Sequence, residues 1–214
     1  LSQGHGGEIT VSDEIELAGT SVTFDTGATD GTITFSDVVD SSAATALNLT
    51  AGTGNINFDA AVGGSNRLGA VTIHSVATFD TDGGFAAASY AQSAGNILSQ
   101  FDGAVDLTGA FDFNGNALAL NAALVSGSSV EISNTNLFTT AAEGDIVATG
   151  TFTQNGTGAN SLAGDITTTD SNISFATAIT LTGPVAMSTG SGSGSAGSIS
   201  FDSTIDATAP ATDS

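Results

Sequence analysis

GTITF at 31–35, GNINF at 54–58, SNISF at 171–175 and GSISF at 197–201 are four versions of one phrase. Each places Ile two residues before Phe, so in an extended chain both side chains point to the same face. The alternation continues past each phrase, as Ile33, Phe35 and Val39, as Ile56, Phe58, Ala60 and Val62, and as Ile173, Phe175, Ile179 and Leu181. A period of two marks a strand with one buried face. Phe residues set the spacing. Phe35, Phe58, Phe79 and Phe101 are separated by 23, 21 and 22 residues, and Phe152, Phe175 and Phe201 by 23 and 26. The 51 residues between Phe101 and Phe152 accommodate two more units. About nine units of about 21–26 residues therefore fill the chain, an interval that suits one solenoid coil.

Gly, Thr, Ser, Asn and Asp interrupt every window of ten residues, and each is a poor helix interior, so no helix is expected. A β-sandwich also has many short strands and frequent turns, but it does not require the same phrase at a constant coil length. In a parallel β-helix each side chain lies about 4.8 Å from its counterpart in the next coil, which gives the repetition a cause. The fold class expected is all-β, a parallel β-helix, with residues 1–214 as one array. Its expected apolar ladder is Ile33, Phe35, Ile56, Phe58, Phe79, Phe101, Val105, Phe152, Ile173, Phe175, Ile199 and Phe201. Hydrophobic residues make up 40% of the chain and Pro occurs only at 184 and 210, so a folded array without a linker is expected. STGSGSGSAG at 188–197 runs directly into a rung and reads as an enlarged loop. Thr-Asp-Gly or Thr-Asp-Ser precedes a rung at ATDG (28–31) and TTDS (168–171) and recurs at ATDS (211–214), which suggests an interior segment of a longer array.

The net charge of −21 arises from a shortage of base, since 22 acidic residues face Arg67 alone. Phosphate recognition draws on Lys and Arg, so nucleic acid and anionic lipid are not expected partners. No apolar run of 18 residues is present, and membrane insertion is not expected. The absence of Cys removes any disulfide framework.

Few residues suggest chemistry. A polysaccharide lyase needs a base and a cation beside its substrate, which Arg67 alone does not supply. Hydrolysis would use paired carboxylates, for which Asp37/Asp40 and Asp80/Asp82 are the candidates. Asp in loops is expected from turn chemistry alone, and these pairs read as turns. FDTDGG at 79–84 alternates carboxylates before Gly and makes Asp80 and Asp82 candidate calcium ligands; no other cofactor is expected. His5 and His74 are too far apart in sequence for a zinc motif. Tyr90 reads as a loop or core residue. The segments 83–94 and 188–196 read as variable loops where binding would fall.

GTITF, ALNLTAGTGNINFDAAVGG (46–64) and LGAVTI (68–73) resemble the repeats of giant bacterial surface proteins of the filamentous-haemagglutinin and autotransporter-adhesin type. The likeness is strongest over 28–107 and 165–207. It implies a right-handed parallel β-helix, export across an outer membrane, and display on the cell surface as an adhesin or filament. The Asn-Pro-Asn secretion motifs of such proteins are missing here. The expected function is an extracellular, non-catalytic stalk, with a self-assembling filament subunit as the alternative and a β-helix hydrolase behind both. Its expected partners are further coils, neighbouring copies, or a host or matrix glycan or protein.

Overall fold

The computed structural model describes residues 7–29, 31–190 and 192–208. His5, Asp30 of ATDG, Ser191 of the Gly/Ser stretch and the ATDS at 211–214 lie outside the described residues. Among the described residues every regular element is a strand, and every strand pair is parallel. The chain winds as a β-solenoid of about nine turns.

Each coil contributes to three faces in turn. The first face begins with Ile9–Val11 and continues through Ile33–Phe35, Ile56–Phe58, Thr78–Thr81 and Leu98–Phe101 to Ile205–Ala207. A second face carries Ile15–Leu17, Val39–Ser41, Val105–Leu107, Leu124–Ser126, Ile146–Ala148, Ile166–Thr168 and Met187–Ser188. The third carries Ser21–Asp25, Ala46–Thr50, Phe111–Gly115, Val130–Asn134, Phe152–Gln154, Ile173–Phe175 and Ile199–Phe201. Phe85–Gln92 serves two faces in one strand: Phe85–Ala87 pairs with Val105–Leu107, and Tyr90–Gln92 pairs with Phe111–Phe113.

The inward residues form columns because the register holds from coil to coil. On the first face Ile9, Ile33, Ile56 and Phe79 succeed one another. On the second the order is Ile15, Val39, Val62, Phe85, Val105 and Leu124. On the third, Phe24, Leu49 and Ile73 lead to Gln92, Phe113 and Ile132, then Gln154, Phe175 and Phe201. Phe35 and Phe58 stack with centroids 4.7 Å apart and planes within 5°. That spacing matches the distance between adjacent strands, so the aromatic stack and the backbone ladder reinforce each other.

Several expectations are corrected. The repeated phrase does not mark one column: Ile33–Phe35 and Ile56–Phe58 lie on the first face, while Ile173–Phe175 and Ile199–Phe201 lie on the third. Phe101 and Phe152 are thus on different faces, and their separation is not a whole number of coils. Phe79 pairs with Ile56, whereas Phe58 pairs with Thr81, so Phe79 occupies the Ile position of its rung. Coil length, read from register, extends lower than expected, to the nineteen residues from Phe101 to Leu120, and reaches twenty-six from Ile173 to Ile199. Finally, 83–94 is mostly strand rather than loop; Tyr90, read as loop or core, is core.

Ten of the twelve ladder residues are at most 1% exposed; Ile199 and Phe201, in the last described rung, are 39% and 37% exposed. Some inward positions are polar. Gln92 accepts from Tyr90 Oη at 2.5 Å and from Ser99 Oγ at 2.8 Å. Gln154 Nε2 donates to Asn134 Oδ1 at 2.7 Å. Hydrogen bonding helps these amides sit in an otherwise apolar interior, although Gln92 Nε2 is buried with no partner among the described residues.

Candidate functional site

The acidic candidates sit where the first face turns toward the second. Phe79 and Thr81 point inward, so Asp80 between them must point outward. Asp82 is the first residue past the strand, and its N–H donates to Phe58 O at 3.0 Å. Asp102 occupies the same place one coil later, donating to Thr81 O at 2.9 Å. Solenoid stacking thereby adds a residue that sequence spacing alone did not suggest. One carboxylate oxygen from each of Asp80, Asp82 and Asp102 lies within 4.8 Å of the others. The signal available in the sequence was FDG at 101–103, a shortened echo of FDTDGG one coil earlier.

The corner geometry explains Gly83 and Gly103, the glycine of each Asp-Gly pair. A Cβ on Gly103 would lie 2.1 Å from Gly83 O, so the two Asp-Gly corners stack only with Gly at 103. The Asp-Gly pattern is therefore accounted for by corner packing. Gln100 Nε2 donates to both oxygens of Asp102 at 3.0 Å, and Asn121 Nδ2 donates to Asp102 Oδ1 at 2.6 Å. Asp80 Oδ1 is shielded from solvent and has no hydrogen-bond partner among the described residues. Burial raises the Asp80 pKa above the ordinary carboxylate value, and the nearby Asp82, Asp102 and Asp59 charges push it the same way; a backbone hydrogen bond from Thr81 opposes them. Asn57, Thr78, Asp80, Leu98 and Gln100 line a shallow depression beside the cluster, with Phe79 at its floor.

Chemically, this arrangement is an oxygen-donor cluster. Asp80, Asp82 and Asp102 are the residues that could hold a hard divalent cation such as calcium, which takes carboxylate and carbonyl oxygens. A cation there would offset the mutual repulsion of the carboxylates.

The other acidic pair is not assembled as a site. Asp37 Oδ1 accepts from the Val38 N–H at 2.8 Å within its own turn. Asp40 is buried, and its Oδ1 accepts from the N–H groups of Ser65 and Asn66 at 3.2 and 3.3 Å. Asp40 thus ties down the loop that leads to Arg67. Arg67 reaches forward across two coils, donating to Ala87 O at 3.1 Å and pairing with the Asp106 carboxylate. Its role is to join loop and rungs. His74 is exposed on the third face. In the 188–196 loop, Gly194 N–H donates to Asp170 Oδ2 at 2.7 Å, and Asp170 takes a φ of 50° at the TTDS corner. An Asx-type carboxylate is among the few non-Gly side chains that suit this left-handed conformation.

Comparison with known proteins finds no family model, curated protein or solved structure that matches the chain. Among the described residues, no helix is long and apolar enough to cross a membrane.

Proposed function

We propose that this chain is a segment of an extracellular, non-catalytic stalk on a bacterial cell surface, which holds adhesive elements away from the cell. The observation that carries this reading is the continuity of the inward columns through all the coils. A solenoid transmits load along stacked backbone hydrogen bonds, and its length scales with coil number. Nine coils at about 4.8 Å each give a rod of roughly 43 Å. The resemblance of the rungs to filamentous-haemagglutinin and autotransporter-adhesin repeats points the same way. An acidic surface with one base suits neither nucleic acid nor anionic lipid, so the partners proposed are further coils, neighbouring copies, or a host or matrix glycan or protein.

A second reading is a self-assembling filament subunit, in which parallel coils of neighbouring copies stack. Ile199, Phe201 and Ile205 are 37–45% exposed, while Ile173, Phe175 and Ile179 one coil earlier are at most 1% exposed. A further parallel rung would cover these side chains, and either this protein's own continuation or a neighbouring copy can supply it. Electron microscopy of the purified chain across concentration, with and without calcium, separates the two readings. Single short rods support the stalk; ordered filaments with a repeat set by stacked coils overturn it in favour of the subunit. Cleavage of a polysaccharide panel that is lost in Asp80→Asn would overturn both.

A further inference from the structure

We draw no further inference here: the strongest candidate, the Asp80, Asp82 and Asp102 carboxylate cluster at the corner between the first and second faces, is a largely exposed acidic cluster to which no second observation assigns a ligand.

Discussion

Phe58 concentrates the forces that hold a rung. It is 1% exposed, stacks on Phe35 at 4.7 Å and meets Phe79 edge-on at 6.0 Å. Phe58→Ala should cost about 3–5 kcal/mol through lost transfer energy and the cavity left between rigid rungs. Urea unfolding at neutral pH would measure it; a loss below about 1 kcal/mol would mean that the column collapses around the gap. Phe58→Asp should prevent folding altogether, because a buried unpaired charge has no partner in this column. Asp80 makes the opposite prediction. Its pKa is raised in the folded state, so the native protein holds this proton more tightly than the unfolded chain does. The resulting penalty is present at neutral pH and lifts as pH falls through the raised value toward the ordinary carboxylate range. Asp80→Asn should therefore raise the urea midpoint at pH 7, and the advantage should shrink on acidification. Asp112 shares the direction, with burial as the main cause and Glu131 in register beside it as the second. At this scale the core was readable, because Phe and Ile at period two have few alternatives to burial. Gln92 and Gln154 were not readable as core, since what favours an inward amide is its spatial neighbours, here Tyr90 and Ser99 on the Gln92 oxygen and Asn134 on Gln154, and these are not legible in the spacing.

At the scale of strands and corners, the Ile-x-Phe phrase encodes a strand with two inward side chains and nothing about which face it joins. Each coil crosses three faces, so the same Ile-x-Phe phrase builds the first face at 31–35 and the third at 171–175. Corner length decides the face, and corner length varies between coils. This is why the Phe intervals resembled coil lengths while mixing columns, as Phe79 beside Ile56 demonstrates. Phe85–Gln92 was missed for a related reason. Its inward residues change phase between Ala87 and Tyr90, where the strand rounds a corner, and simple alternation does not survive the bend. Corners themselves impose a local test. A Cβ at Gly103 would overlap Gly83 O at 2.1 Å, whereas one at Gly84 would meet only Ala104 O, at 3.7 Å. Gly103→Ala should destabilise by about 1–3 kcal/mol, the cost typical of overpacking. Gly84→Ala should be neutral or mildly stabilising, because it restricts the unfolded chain without a native clash. Thermal melts of the two variants side by side check this, and equal midpoints would show that the Asp-Gly corners do not depend on close backbone stacking.

For the molecule as a whole, a solenoid is close to a one-dimensional sum of rungs and interfaces, so a whole coil can be removed where half a coil cannot. Register fixes which residues form a coil. Leu120 pairs with Thr140, and deletion of 121–140 removes one second-face strand, Leu124–Ser126, one third-face strand, Val130–Asn134, and one first-face strand, Phe138–Thr140. Ala141 then follows Leu120 in the place of Asn121, whose N–H donates to Phe101 O in the intact chain. The inward columns rejoin with Phe111 above Phe152 and Leu107 above Ala148, all of them apolar and buried. Gln154 loses Asn134 but keeps Gly156 O as an acceptor, at 3.2 Å. The shortened chain should fold and give a rod about 5 Å shorter by small-angle X-ray scattering. Deletion of 121–130 alone should abolish cooperative unfolding, because it sets first-face residues against third-face columns and places corner residues such as Ala142 where Ile132 is buried. Equal tolerance of both deletions would mean that the rungs do not depend on register, and a stalk built from them could not share load between coils.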